Sequence, residues 1–283
     1  MIIAKDISKN YGNLKALEKV TLSCKKGEIV GLLGRNGAGK TTLFKIFFGL
    51  VKPNSGTLTI DSNRPKPIGG IIEKPALYEY LNAKENLKVF SKIQGLQVNN
   101  NTIEAQLLKV GLSPERIDPV KNYSLGMKQR LGIAVALLNN PEYLILDEPF
   151  SGLDPIGIKS IRELILQLVE QQQIGIIISS HIIEELHKIC DTLYIINKGK
   201  IINSGKTQEI ISKNTHSYVI YASGIENSTT LEKYPCVLRK NNARVNISQE
   251  KVPELLQQLA QENIHITACV PEVNFDELFE PEL

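Results

Sequence analysis

A glycine-rich segment near the start of the chain constrains the fold more than any other feature. Residues 34–41 (GRNGAGKT) follow the apolar run 28–33 and precede a helical pattern over 41–49. The glycines let successive backbone N–H groups turn toward one point, and the helix adds the positive end of its dipole. These donors suit phosphate oxygens, and the spacing G-x4-G-K-T is typical of loops that bind nucleotide phosphates. Lys40 is expected to contact the β- and γ-phosphates, and the Thr41 hydroxyl to bind Mg²⁺.

Two adjacent carboxylates follow a second apolar run. Asp147 and Glu148 come directly after residues 143–146 (YLIL), which predict a buried strand, and Pro149 follows them. In a protein with a phosphate-binding loop, the first carboxylate at such a strand end helps to hold Mg²⁺. The second carboxylate is then expected to polarise the attacking water as a general base.

Strand and helix patterns alternate over the first two hundred residues, which favours an α/β fold with a largely parallel core sheet. After about residue 205 the pattern weakens, and we expect two domains: a nucleotide-binding domain over 1–205 and a small C-terminal α+β lobe over 206–283. The predicted strands are 28–33, 57–60, 143–146, 174–179, 193–197, 218–221 and 264–268. The predicted helices are 41–49, 82–94, 102–110, 127–139, 158–170, 182–190 and 253–261.

The composition excludes several classes of protein. Of the 283 residues, 42% are hydrophobic and 22% are charged, which is typical of a globular chain rather than a disordered or collagen-like one. A net charge of +3 gives no support for a nucleic-acid-binding surface, so no nucleic-acid partner is expected. The four cysteines lack CxxC spacing, which fits a reducing compartment. Because no apolar run reaches the length of a membrane span and the N-terminus lacks a signal-peptide core, we expect a cytoplasmic protein.

Three further short motifs follow one another in a recognisable order. Residues 123–130 (YSLGMKQR) precede the Asp-Glu pair, residues 151–154 (SGLD) follow it, and residues 179–181 (SSH) come after the next predicted strand. They look like the ABC signature, the D-loop and the switch histidine, and Tyr11 matches the aromatic residue that stacks on adenine. With the phosphate-binding loop and the Asp-Glu pair, residues 1–205 therefore resemble the ATP-binding subunit of an ABC transporter.

The resemblance implies a P-loop NTPase of the ABC ATPase type, with antiparallel β and helical subdomains, that uses ATP and Mg²⁺. It also implies that two copies dock head to tail, so that the signature of one copy caps ATP bound to the other. The implied ATP-binding residues are Tyr11, Gly34, Arg35, Asn36, Gly37, Ala38, Gly39, Lys40, Thr41 and Thr42, and the capping residues of the opposite copy are Ser124, Leu125, Gly126 and Met127.

The remaining implied roles concern catalysis. Glu148 is the implied base, His181 contacts the γ-phosphate, and Asp154 communicates across the dimer. Thr41, Asp147 and Glu73 are the implied Mg²⁺ contacts, and Glu73 is also counted among the catalytic residues.

Departures from the family pattern point to one branch of it. The signature usually begins with Leu, has two glycines and closes with Gln, whereas this chain has Tyr123, Leu125 and Met127. Glu73 stands where the family commonly has a glutamine, and an ionised carboxylate cannot donate a hydrogen bond to the lytic water. These features, and the ending over residues 273–279, look like the bacitracin-resistance and lantibiotic-immunity subunits.

The expected function is ATP hydrolysis that drives a separate membrane permease, with export of an antimicrobial peptide or antibiotic. The expected partners are a second ATP-binding subunit and the permease, which would hold the chain peripherally on the inner face of the cell membrane. Two alternatives stay open: a nucleotide switch that senses or regulates through a partner, and a soluble ABC-type ATPase that acts on nucleic acid or ribosomes. A Ras-like GTPase is disfavoured because residues 197–200 (NKGK) end in Lys where Asp should read guanine.

Overall fold

The computed structural model of the chain describes residues 1–273 and 278, and these belong to two units, Met1–Gly205 and Lys206–Leu283. The strands are β1 Ile2–Tyr11, β2 Leu14–Cys24, β3 Ile29–Leu33, β4 Ser55–Ile60, β5 Ile68–Ile71, β6 Tyr143–Leu146, β7 Gly175–Ser180, β8 Thr192–Asn197, β9 Lys200–Lys206, β10 Thr215–Ser223, β11 Cys236–Arg239, β12 Asn242–Asn246 and β13 His265–Val273. The helices are α1 Lys40–Phe47, α2 Ala83–Ile93, α3 Asn100–Lys109, α4 Leu125–Ala136, α5 Pro155–Gln172, α6 Ile183–Leu186, α7 Thr207–Lys213 and α8 Val252–Gln261. The ending predicted to match the family, residues 273–279, lies outside the described residues except for positions 273 and 278.

The first unit is built around a six-stranded sheet with the order β5-β6-β7-β3-β8-β9. β3 pairs in parallel with β7 and β8, and β6 pairs in parallel with β5 and β7. Every residue of β3, β6 and β7 is buried, as expected for parallel strands that are covered on both faces. The predicted α/β fold with a parallel-rich core sheet is therefore confirmed.

An antiparallel sheet of order β2-β1-β4 forms the N-terminal part of the first unit. β1 and β2 were not predicted, because their apolar residues do not alternate regularly. Asp6 and Lys19 have φ angles of 53° and 49°, and the register between the two strands shifts at several points. Such bulges break the two-residue period of a strand. One apolar cluster nevertheless joins Ile2 of this sheet to Phe44 of α1 and Leu32 of the central sheet.

Helix boundaries in the first unit follow local caps and long-range pairing. α2 begins after Asn82, whose side chain accepts a hydrogen bond from the Glu85 N–H. The Glu85 carboxylate in turn accepts a hydrogen bond from the Asn82 N–H. The helix predicted over residues 182–190 is shorter in the structure, because α6 ends at Leu186. Asp191 exchanges two hydrogen bonds with Ile29 of β3, at 2.8 and 2.9 Å, so the chain must turn back toward the sheet before that point.

The second unit is a four-stranded antiparallel sheet of order β11-β12-β10-β13 with α8 packed on it. Leu255 and Leu259 of α8 belong to the apolar cluster of this unit. The prediction of strand, helix and strand matches β10, α8 and β13 but omits α7, β11 and β12. β11 is a short edge strand whose residues are mostly exposed, so it lacks the apolar alternation that marks a half-buried strand. None of the helices in the described part of the chain combines the length and apolar character that crossing a membrane requires.

Candidate nucleotide-binding site

Three neighbouring parallel strands bring the predicted site together. β6, β7 and β3 lie side by side in the sheet, so their carboxyl ends meet at one edge, where α/β sheets commonly bind ligands. Residues 34–39 follow β3, Asp147 and Glu148 follow β6, and His181 follows β7. Residues separated by more than a hundred positions in the chain thus converge.

The phosphate-binding loop has a backbone that requires glycine. Gly39 has a φ of 110°, and a Cβ at this position would lie 2.6 Å from the carbonyl oxygen of Ala16. The Lys40 side chain is buried, and its Nζ donates to the carbonyl oxygens of Gly34 at 2.5 Å and Arg35 at 3.3 Å. The loop therefore holds an ammonium group at the start of α1, where the helix dipole is also positive.

Asp147 lies at the centre of a buried hydrogen-bond network. Its Oδ2 accepts a 2.8 Å hydrogen bond from the Thr41 hydroxyl, and its Oδ1 accepts a 2.6 Å hydrogen bond from the Ser179 hydroxyl. Only 2% of Asp147 is exposed, and its hydrogen bond with Ser179 is fully buried, whereas the one with Thr41 is partly buried. The network fixes a carboxylate beside the hydroxyl of the phosphate-binding loop.

Glu148 contacts one group that follows β3 and another that follows β7. Its carboxylate lies 3.1 Å from the Lys40 Nζ through Oε1 and 2.9 Å from the His181 Nδ1 through Oε2. Its φ of 50° is left-handed, a conformation that costs a residue with a side chain about 1–2 kcal/mol. The Glu148 N–H donates to the Ser179 hydroxyl at 2.9 Å, which helps to hold this conformation. Strained residues of this kind are concentrated at functional sites.

A cavity of about 660 Å³ opens beside the loop, within the size range of ligand pockets. Tyr11 lines it and is half-exposed, with the Lys9 Nζ 5.2 Å from the centre of its ring. The other lining residues are Leu14, Lys15, Ala16, Asn36, Gly37, Ala38, Gly39, Lys40, Thr41, Thr42, Glu148, Lys198 and Gly199. The cavity thus joins the predicted adenine contact to the predicted phosphate contacts.

The donors and acceptors of this cavity fit a magnesium nucleotide. Lys40 supplies a buried cation for phosphate, and the Thr41 and Asp147 oxygens are hard ligands of the kind that Mg²⁺ prefers. No group of three or more His, Cys, Asp and Glu side chains in residues 1–273 and 278 is arranged to hold a metal. In nucleotide sites, Mg²⁺ is commonly bound by one or two protein oxygens together with phosphate oxygens.

The predicted signature lies at the start of α4. The Ser124 side chain caps the helix by accepting a 3.3 Å hydrogen bond from the Met127 N–H. Ser124 and Leu125 are exposed, and Gly126 is half-buried. None of these residues lines the cavity described above. Asp154 caps α5 by accepting from the Gly157 N–H at 2.8 Å.

Glu73 lies outside the cavity. It follows β5 with a φ of 62°, its side chain is 68% exposed, and its Oε1 is 3.5 Å from the Lys45 Nζ of α1. The structure therefore pairs Glu73 with a lysine one turn beyond the phosphate-binding loop and not with Asp147 or Glu148.

Two residues that contact the predicted motifs, Ser179 and Arg116, had no predicted role. Ser179 was noted only as part of the SSH triplet, although its hydroxyl joins Asp147 to Glu148. Arg116 was not predicted at all, although it contacts Tyr123 and Met127, which flank residues 124–126 of the signature. Ser179 could have been found, because it is a polar residue at the end of the apolar run 174–178. Nothing local in the sequence indicates the role of Arg116.

Comparisons with known proteins agree with this geometry. Residues 17–151 match the family described as ABC transporter. The chain is 46% identical over 210 residues to the bacitracin transport ATP-binding protein BcrA of Bacillus licheniformis, covering 71% of this chain and 68% of that protein. It is 45% identical over 207 residues to the lantibiotic transport ATP-binding protein SrtF of Streptococcus pyogenes, covering 71% and 89%.

A solved structure extends the comparison to the fold. The dimeric ATP-binding cassette MJ0796, bound to ADP and Pi in a post-hydrolysis state, is 25% identical to this chain with a TM-score of 0.64, covering 73% of this chain and 99% of that one. The predicted family and branch are confirmed by these matches. The chain therefore belongs to the family of ABC transporter ATP-binding proteins, which are ATPases, and is similar to its bacitracin and lantibiotic transport members.

Proposed function

We propose that two copies of this chain associate head to tail around ATP and hydrolyse it to drive a separate membrane permease. We further propose that the permease exports an antimicrobial peptide or antibiotic. The support for this cargo is the identity of 46% and 45% to relatives named for bacitracin and lantibiotic transport. The support for the two-copy arrangement is the exposed signature at α4 and the dimeric state of the MJ0796 cassette.

The position of Glu148 is the observation that carries the proposal. Its carboxylate lies at the edge of the cavity, in contact with Lys40 and His181. A carboxylate in this position can accept the proton of an attacking water, and His181 can orient it through the 2.9 Å contact. The positive charge of Lys40 would stabilise the negative charge on the transferred phosphate.

Thr41 and Asp147 are the residues that we propose hold Mg²⁺ with the phosphate oxygens of ATP. When bound, Mg²⁺ neutralises the charge that develops on the phosphates. Ser179 keeps the Asp147 carboxylate oriented through its 2.6 Å hydrogen bond. Asp147 is buried and both of its carboxylate oxygens accept hydrogen bonds, so the carboxylate is preorganised before any ligand arrives.

We place the chain on the inner face of the cell membrane, held there by the permease. A tagged chain, purified from gently solubilised membranes of its native cell, should recover a polytopic membrane protein in near-equal amount. Recovery of ribosomes or nucleic acid without a membrane partner would overturn the proposal in favour of a soluble ABC-type ATPase. The matched control is the untagged cell, processed in parallel.

The cargo needs a separate test. Cells that express the chain with its co-purified permease should tolerate more bacitracin or lantibiotic than cells that express the permease alone. Glu148→Gln should remove that protection, because it removes the proposed base. His265→Ala is the control, since His265 is exposed on β13 in the second unit. Equal sensitivity of all strains to these compounds would reject the proposed cargo while leaving the ATPase intact.

A further inference from the structure

Arg116 lies just before the signature and makes three kinds of contact there. Its Nε and Nη2 bind Oδ2 of Asp118 at 2.8 and 2.7 Å. The central carbon of its guanidinium lies 4.7 Å from the centre of the Tyr123 ring, and its Nη1 lies 3.4 Å from the Met127 sulfur. We call Arg116, Asp118, Tyr123 and Met127 the Arg116 cluster.

The Arg116 cluster brackets the residues that the resemblance assigns to ATP on a second copy. Tyr123 directly precedes Ser124, and Met127 donates its N–H to the Ser124 hydroxyl at 3.3 Å. Arg116 therefore contacts the residues on both sides of the stretch 124–126, in which Ser124 and Leu125 are exposed. Only 6% of Tyr123 is exposed, so the packing around it holds the ring in place beside the guanidinium.

The chemistry of the cluster accounts for two departures from the family pattern. Tyr123 replaces the usual Leu and offers a ring face, on which a planar guanidinium stacks favourably. Met127 replaces the usual Gln and offers a polarizable sulfur as a weak acceptor. Asp118 fixes the guanidinium in the orientation that both contacts need. Two unusual residues of the signature thus share one partner.

We propose that Arg116 is a positioning residue for the signature: it orients Tyr123 and Met127 so that Ser124 and Gly126 are presented to ATP bound by a second copy. The proposal rests on the head-to-tail association proposed above. Arg116 lies outside the cavity of its own copy, so its effect is confined to association and leaves nucleotide binding by one copy unchanged.

The test separates association from nucleotide binding. In the Glu148→Gln background, ATP is titrated while the monomer–dimer ratio is followed by analytical ultracentrifugation, and mant-ADP affinity is measured by fluorescence. Adding Arg116→Ala should raise the ATP concentration at half-dimerisation by about 3- to 10-fold, the range for losing one such contact. The mant-ADP affinity should stay the same. Arg116→Lys keeps the charge without the planar stacking surface, and it should give an intermediate shift.

Two further variants serve as controls, one that removes a different arginine and one that removes the Tyr123 ring. Arg64→Ala removes an arginine that pairs with Glu142 in the same unit, and it should not move the dimerisation midpoint. Tyr123→Leu restores the usual family residue, and in that background Arg116→Ala should have a smaller effect, because the stacking partner is gone.

The outcomes distinguish this proposal from the function on which it rests. A Glu148→Gln parent that dimerises with ATP, together with an Arg116→Ala midpoint that does not shift, overturns the role of Arg116 alone. Equal losses of dimerisation and mant-ADP affinity also overturn it, because they indicate general damage to the unit. A parent that stays monomeric with ATP overturns the head-to-tail function and this proposal with it.

Discussion

Ser179 links the two acidic residues of the site through one hydroxyl. It donates to Asp147 at 2.6 Å and accepts from the Glu148 N–H at 2.9 Å, and its own side chain is fully buried. A hydrogen bond from a neutral hydroxyl to a buried carboxylate contributes more free energy than the same hydrogen bond at the surface does. Ser179 therefore fixes the position of both residues, although it does not line the cavity itself.

Ser179→Ala should lower the kcat of ATP hydrolysis by roughly 10-fold, the effect of losing one hydrogen bond to a charged group. The affinity for mant-ADP should change little, because Lys40 and the loop backbone remain. Steady-state kinetics and fluorescence titration measure the two quantities. Ser91→Ala is the matched control, since Ser91 is also fully buried but bonds to Leu87 within α2. Equal kcat values for the two variants would show that Ser179 has no positioning role.

Glu73 differs from Glu148 in its surroundings as well as in its position. Its partner is Lys45 at 3.5 Å, and most of its side chain is exposed. Glu73→Gln should therefore retain much of the ATPase rate of the isolated chain but change how far the permease stimulates that rate. Assays of the chain alone and of the chain with its permease give the two values. A collapse of the rate in the isolated chain would place Glu73 in the chemistry itself.

A residue of the site could be predicted when the sequence around it forms a recognisable motif. Lys40, Asp147 and His181 each follow an apolar run within a short motif, so they could be found from the sequence. The contacts of Arg116 arise because a turn brings Tyr123 and Met127 to it, and no spacing rule encodes that turn. The Lys45–Glu73 pair likewise joins α1 to the end of β5, which only the folded chain brings together.

The strands and helices of the first unit were likewise predicted where a local sequence pattern marks them and missed where long-range contacts or bulges set them. β6 was predicted with its observed bounds, because four consecutive apolar residues between polar neighbours mark a buried strand. β1 and β2 were missed, because their bulges at Asp6 and Lys19 remove the alternation that identifies a strand. The end of α6 was also missed, because it is set by the pairing of Asp191 with Ile29 and not by a local stop signal.

The end of α8 carries a hydrogen-bond cluster that makes the second unit sensitive to acid. Glu262 accepts hydrogen bonds from the hydroxyls of Ser228, Thr229 and Thr230 and from the Thr230 N–H. These hydrogen bonds, that from Ser228 first, lower the pKa of Glu262 from 4.5 to about 2. The ionised form is thus the one that the folded state favours.

A carboxylate with a lowered folded-state pKa stabilises the fold above its unfolded pKa, and this contribution is lost as the pH falls. The contribution of Glu262 should be complete above pH 4.5 and disappear as the pH falls through about 2. The protection of the α8 amides against hydrogen–deuterium exchange, relative to the intrinsic exchange rate at each pH, should fall over this interval in the full chain. Glu262→Gln should flatten the pH dependence of this protection in α8. An unchanged slope in that variant would mean that other groups control the acid response of this helix.

At the scale of the whole molecule, the groups proposed for turnover all belong to the first unit. Lys40, Asp147, Glu148 and His181 lie within Met1–Gly205. The second unit, Lys206–Leu283, has its own apolar cluster and contributes none of them. We therefore expect ATP turnover to tolerate changes in the second unit that leave its own cluster intact.

His216→Ala and His265→Ala test this division of roles. Both histidines are exposed residues of the second unit, on β10 and β13. Each variant should keep the ATPase rate within about 2-fold of the parent, as expected for surface substitutions away from a site. A large loss of ATPase activity in either variant would show that the second unit participates in turnover.

Steady-state ATP hydrolysis by Glu148→Gln tests the central claim most directly. The substitution keeps the size of the side chain but removes the carboxylate that contacts Lys40 and His181. We predict that the rate falls by about 100-fold or more, as expected for loss of a general base, while ATP stays bound and holds two copies together. Hydrolysis at the parental rate would contradict the assignment of Glu148 as the base, and with it the proposed site of ATP turnover.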